Sequence, residues 1–234
     1  MHRRRVYLIL GVVGVVLAGV LLVVFSRERE PEYGGKRLSE WVMKLPDDAA
    51  EKAIRQIGTN ALPYLLKWIG YAVPAWKGRL YEAVNPNLNS LNSEWGLYDK
   101  RDLRATQASS AFAFLGLQAQ VVIPELTLML NDSKKIANAT AAASALVLLG
   151  PDGLPPVMAV LTNRQKPPVL RYFVAIEIGL WGTNTEQVVR VLKDLLIDSD
   201  SLVREGATNA LGNIEHRARA GKVRVERESK IRLN

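Results

Sequence analysis

The sequence predicts an all-α fold, an α-α superhelix (a solenoid) of about five short helical repeats, with an N-terminal transmembrane helix ahead of it. The first observation is a phrase of the form small-x-x-Ala-apolar-x-x-apolar-Gly that returns five times. It reads Ala50, Ala53, Ile54, Ile57, Gly58; Ala108, Ala111, Phe112, Leu115, Gly116; Ala142, Ala145, Leu146, Leu149, Gly150; Val174, Glu177, Ile178, Trp181, Gly182; and Ala207, Ala210, Leu211, Ile214, Glu215. The second is its period: positions 57, 115, 149, 181 and 214 lie 58, 34, 32 and 33 residues apart, spacings of the size at which helical hairpins stack. The third is an uncharged apolar run of twenty residues, 6–25, long enough to cross a bilayer core as a helix.

In chain order, residues 1–5 form a stub with Arg3, Arg4 and Arg5, and the apolar run follows from Val6 to Phe25. Three arginines before the run and a balanced Arg27-Glu28-Arg29-Glu30 flank after it place the N-terminus inside and the rest on the periplasmic or extracellular side of the cytoplasmic membrane. Val16-Leu17-Ala18 offers a competing cleavage site. The run exceeds a signal-peptide core, which favours an uncleaved anchor.

Residues 26–46 read as a linker and an N-terminal capping helix. Leu38, Trp41, Val42 and Leu45 recur at helical spacing and form its apolar side. The repeats occupy 47–214. Each phrase is the first helix of a unit, and its alanines allow close approach of neighbouring helices. Gly58, Gly116 and Gly150 suit left-handed C-terminal caps. Leu62-Pro63, Ile123-Pro124 and Leu154-Pro155 then open the second helices, since proline is tolerated in a first turn. The fourth unit lacks the proline and runs from Val188 toward Leu196. Asn131-Asp132-Ser133 and Asp198-Ser199-Asp200-Ser201 are helix-start clusters, and Asp47-Asp48 reads as another, not as a catalytic carboxylate pair. The fifth unit has a first helix and no apolar stripe after Ile214 for a second.

The run from Asp198 through Val203, Arg204, Ala207, Ala210 and Leu211 to Ile214 resembles the first helix of HEAT repeats in their short bacterial form. Arg171, 33 residues before Arg204, matches the arginine such repeats often carry near that helix start. The likeness covers about residues 47–214 and implies a HEAT/armadillo-like solenoid. Together with the segment around Tyr33-Gly34-Gly35 and Trp41, and the Gly58-Thr59-Asn60 phrase repeated at Gly182-Thr183-Asn184, the chain resembles membrane-anchored bacterial HEAT-repeat proteins of undefined function. Two HEAT-like enzyme groups offer a lyase reading and a nucleic-acid reading. Bilin lyases need a cytosolic pigment partner, which the outward topology opposes. DNA glycosylases need a basic groove, which the charge distribution opposes.

The long first interval marks an insertion at 70–99. Seven of the chain's twelve Trp and Tyr residues lie between Tyr64 and Tyr98. Insertions in repeat proteins map to one face, often the binding face. Trp76, Lys77, Arg79, Tyr81, Trp95 and Tyr98 are therefore the candidate protein-binding residues, of the types that anchor interfaces. The alternative is a short helix near Trp76 to Val84 that packs its aromatics as extra core.

Formal charge is +8, but it sits at the ends. The basic tail, 215–234, has seven basic against three acidic residues. With the three arginines of the stub set aside as well, residues 26–214 are almost neutral. That opposes a nucleic-acid groove and leaves the tail as a solvated end or a contact for anionic lipid or an acidic partner. There is no cysteine, and the two histidines are His2 and His216, so no His/Cys metal set, phosphate loop or Ser-His-Asp arrangement is legible. The expectation is a non-enzymatic, membrane-anchored scaffold for a protein partner, with no cofactor and no nucleic acid.

Overall fold

In the computed structural model, residues 29–91, 99–132, 134–182 and 185–232 are described, with side chains described through residue 85 and again from 99 to 220 outside those gaps. The expected membrane segment, residues 6–25, lies outside them. By internal contacts the chain divides into Met1–Pro31 and Glu32–Asn234. Of the first unit only residues 29–31 are described, and they are in neither helix nor strand.

The second unit opens with a hairpin that the helical periodicity does not announce. Strands β1 (Glu32–Tyr33) and β2 (Lys36–Arg37) pair antiparallel. Gly34 and Gly35 turn between them with φ of 58° and 74°, the positive values that a two-residue hairpin turn demands and glycine supplies without strain. The expectation of a chain without any sheet is corrected by this one turn. Helix α1 (Leu38–Val42) follows. Its Trp41 indole donates to the Tyr33 carbonyl at 3.0 Å, while Leu38, Trp41, Val42 and Leu45 are buried, the side read from their spacing.

The rest is all-α. Helices α2 (Asp48–Ile57), α3 (Leu62–Ile69) and α4 (Ala75–Leu91) precede α5 (Lys100–Leu115), α6 (Ile123–Asn131) and α7 (Ile136–Leu148). Then come α8 (Leu154–Thr162), α9 (Pro168–Trp181), α10 (Glu186–Leu195) and α11 (Ser201–Arg232). Asp47 Oδ1 accepts from Ala49 N at 2.8 Å and Asp200 Oδ1 from Leu202 N at 2.9 Å, so these acids satisfy free N–H groups at helix starts. Gly58, Gly116 and Gly150 take positive φ, and Pro63, Pro124 and Pro155 stand in the first turns of α3, α6 and α8. Gly182 departs from the pattern: its φ is −67° and its backbone is extended.

Five helices carry the repeated phrase, and each packs on the next in chain order: α2 on α5, α5 on α7, α7 on α9, α9 on α11. The intervening helices fill the other side, α3 against α5, α6 against α7, α8 against α9 and α10 against α11. Most phrase residues build the core, whereas in the fourth unit Glu177 is only partly buried and Trp181 is exposed. Ala53, Ala111, Ala145 and Ala210 have no exposed surface, and neither do Ile54, Phe112, Leu146 and Ile178. Each large apolar side chain so buried contributes about 1.5–3 kcal/mol. The α9–α11 contact is a close one. A Cβ on Gly179 would lie 2.5 Å from Ala210 Cα, so only glycine fits there.

Arg171 fastens three segments. Its Nε donates to the Leu161 carbonyl at the end of α8 at 2.9 Å, and its Nη2 donates to Asp198 Oδ2 at 2.7 Å. Asp198 Oδ1 in turn accepts from Asp200 N at 3.0 Å, and the Asp198 carbonyl accepts from Arg204 at 2.8 Å. Among the described residues one stretch, Lys100–Asn131, is long and apolar enough to cross a membrane. Its Ala108, Ala111, Phe112, Leu126 and Leu130 side chains belong to the protein's own core. Helix α11 runs on to Arg232, a continuous helix where an apolar pattern is lacking.

Candidate functional site

The aromatic insertion is largely α4 and the segment that leads into it. This helix is longer than the sequence suggests and passes through Pro86, a residue with no backbone N–H to give the helix ladder. Its start is held by one acid. Asp99, the N-cap of α5, accepts from Arg101 N at 2.9 Å, from the Tyr71 hydroxyl at 2.7 Å and from Lys77 Nζ at 3.1 Å. The backbone N–H of Arg101 and the Tyr71 hydroxyl hold the Asp99 carboxyl down to about 2. The same bond pushes the Tyr71 phenol up, because a phenolate there would face a carboxylate. Asn138 of α7 adds a bond from Nδ2 to the Gly70 carbonyl at 2.9 Å.

Of the six candidate binding residues, Trp76 is 60% exposed, so it is not extra core. Arg79 is exposed and Tyr81 half-buried. Lys77 is committed to Asp99 and lies 5.7 Å from the Trp76 ring centre. Trp95 and Tyr98 lie outside the described residues.

A different surface has the form of a binding site. Across α5, α7 and α9 runs a groove of about 590 Å³, within the range of small-ligand sites. Helix α5 contributes Thr106, Ser109 and Ser110; α7 contributes Ile136, Ala137, Thr140, Ala141 and Ser144; α9 contributes Phe173, Glu177, Leu180 and Trp181. Steps of three and four residues place each set on one helix face. Three of the five hydroxyls have spent their protons at home: Thr106 donates to the Asp102 carbonyl at 3.3 Å, Ser109 to the Ala105 carbonyl at 3.4 Å and Thr140 to the Ile136 carbonyl at 2.9 Å. Their remaining capacity is to accept.

Glu177 is the acid of this groove, and among the described residues no Lys, Arg or His lines it. Its Oε2 is buried without a hydrogen-bond partner. Burial pushes the carboxyl up, while Ser144 and Trp181 act the other way and are outweighed. Phe173, Leu180 and Trp181 around it are 39%, 40% and 52% exposed, an uncovered apolar rim next to a charge. A second groove of about 520 Å³ between α8 and α10 is lined by Leu154, Met158, Val188 and Val191 with no charged side chain among its lining residues. It has no equivalent polar anchor.

Sequence reasoning passed over Glu177, although the repeat contains the signal. It stands where the other four units carry Ala53, Ala111, Ala145 and Ala210, so a carboxylate replaces the smallest core residue of the phrase. His216 is exposed on α11, and among the described residues no three His, Cys, Asp or Glu side chains group in a way that could hold a metal. No family model matches the chain, and no curated protein or solved structure matches it.

Proposed function

We propose that the chain is a HEAT-like solenoid scaffold that binds a protein partner. On this reading it is anchored in the cytoplasmic membrane by residues 6–25, with the repeats on the outer side. The regular order in which the phrase-bearing helices pack, their glycine caps and their proline starts support the repeat reading. The observation that carries the binding role is the α5–α7–α9 groove. Three successive first helices share it, its aromatic rim is uncovered, and apolar clefts with few polar anchors are what proteins use to hold a ligand segment. The insertion, with Trp76 and Arg79 exposed on α4, is a second contact surface of the same scaffold.

Crosslinked membranes bearing the tagged full-length protein test this. Ala137 is exposed at the groove, so Ala137→Trp fills the groove from its rim. The expected result is loss of a co-purified protein that the wild type retains, with helicity unchanged. Full recovery by the folded variant refutes the groove as the binding surface, and the Trp76→Ala, Arg79→Ala pair then reports on the insertion.

A further inference from the structure

We propose that the α5–α7–α9 groove recognises a lysine side chain within an apolar segment of the partner, its ammonium seated against the Glu177 carboxylate between Phe173 and Trp181. The inference rests on the scaffold reading and names what that scaffold selects.

The argument begins with a cost. A buried carboxylate oxygen without a partner is destabilising. Glu177 Oε2 is one, at a position where alanine serves in the other four units. Nothing in the packing of α9 requires a carboxylate there, since the equivalent alanines are fully buried. A group that costs the free chain and is balanced by a cation is what a ligand-binding residue looks like.

The one charged group of the lining, Glu177, then favours a cationic ligand. Thr106, Ser109 and Thr140 have their protons committed to their own helices, so beside the unpartnered Glu177 Oε2 these three offer acceptors, while Ser144 and Trp181 act on the Glu177 carboxyl itself. An ammonium carries three donors and no acceptor. Among the described residues no cation lines the groove to compete for it. The exposed faces of Phe173 and Trp181 add the attraction of aromatic rings for a desolvated cation.

Lysine also fits the mixed character of the site, because its apolar stem can lie along Leu180 while its head reaches the carboxylate. A groove of about 590 Å³ has room beyond one side chain, so flanking apolar residues of the segment cover the rim. That requirement distinguishes a peptide from a free amine.

The test uses the immobilised full-length protein in mild detergent and two pooled libraries of capped heptapeptides. Both are random over Ala, Leu, Val and Ser, and the central residue is lysine in one and norleucine in the other. Wild type is expected to retain the lysine pool about tenfold more than the norleucine pool, the effect of one charge-assisted hydrogen bond. In Glu177→Gln the preference falls to less than about twofold, with the melting curve confirming a folded protein. Glu177→Ala repeats the loss in a second background. Equal retention of the pools by wild type, or a lysine preference that survives in both variants, overturns the proposal. So does displacement by n-hexylammonium that matches the lysine pool, which would make the site one for small amines. If Ala137→Trp still abolishes partner recovery while no lysine preference exists, the scaffold stands and this inference alone falls. If Ala137→Trp changes nothing, the groove reading has failed before selectivity is at issue.

Discussion

Replacing Glu177 by alanine should stabilise the protein, an unusual direction for a change at a partly buried position. The carboxylate oxygen left without a partner costs about 1–3 kcal/mol. Alanine removes that cost and gives up one half-buried methylene, about 0.4 kcal/mol at half of the full burial value. The higher helix propensity of alanine adds a few tenths. The net expectation is about 1–3 kcal/mol of added stability near pH 8, or roughly 3–9 °C in the thermal midpoint for a chain of this size. The pH dependence gives a second handle. Burial raises the Glu177 pKa above its ordinary value of 4.5, so the folded state holds the proton more tightly than the unfolded one. The penalty is therefore complete above the raised pKa and vanishes below the ordinary value, where both states are protonated. Urea unfolding of wild type and Glu177→Ala from about pH 4 to about pH 8 should show a gap that opens as pH rises. A variant less stable than wild type near pH 8, or a gap independent of pH, would refute the assignment of Glu177 as an unbalanced buried acid.

Arg171→Met should destabilise by about 3–5 kcal/mol in chemical denaturation, because it leaves Asp198 buried without its cation; a loss under about 1 kcal/mol would show that the acid finds water. Ala145→Leu, at a site with no exposed surface, should cost about 1–3 kcal/mol by forcing α7 from its neighbours, and an unchanged midpoint would contradict the packing. Asp99, held down to about 2 against an ordinary 3.8, contributes stability that is present above the ordinary value and lost as pH falls through the lower one. Asp99→Asn should remove that acid-limb difference and speed proteolysis within α4. For the proposed topology, a C-terminal alkaline phosphatase fusion should be active and stay with membranes; an inactive fusion reverses the orientation.

What the sequence made legible is what local chemistry decides. Gly58, Gly116 and Gly150 end helices because only a residue without Cβ takes their backbone cheaply, and Pro63, Pro124 and Pro155 begin them because a first turn has no ladder bond to lose. Leu38, Trp41, Val42 and Leu45 declared their buried side by spacing alone. The β1–β2 hairpin was visible only as Gly34-Gly35, a signal about one turn that helical periodicity overrides. The groove was harder to see. Thr106, Thr140 and Glu177 come from three helices, and nothing in their order says that their free sides meet. Trp76 drew the eye because aromatics cluster near it in sequence. Glu177 was marked only by being the wrong residue in a repeated phrase.

The contact between α9 and α11 has a consequence for how the groove can change shape. Gly179 meets Ala210 backbone to backbone, and a Cβ on Gly206 would lie 3.1 Å from Tyr172 Cα, so at these two points the helices touch through their main chains. Such a contact has little compliance: there is no rotamer to switch and no gap to close. Helix α9, which carries Phe173, Glu177 and Trp181, therefore behaves as a fixed jaw backed by α11. Widening of the groove for a bulkier segment must come from the opposite side, by a shift of α5 and α7. Selectivity for the cation is thus built on the wall that does not move, and tolerance for the flanking residues on the wall that does.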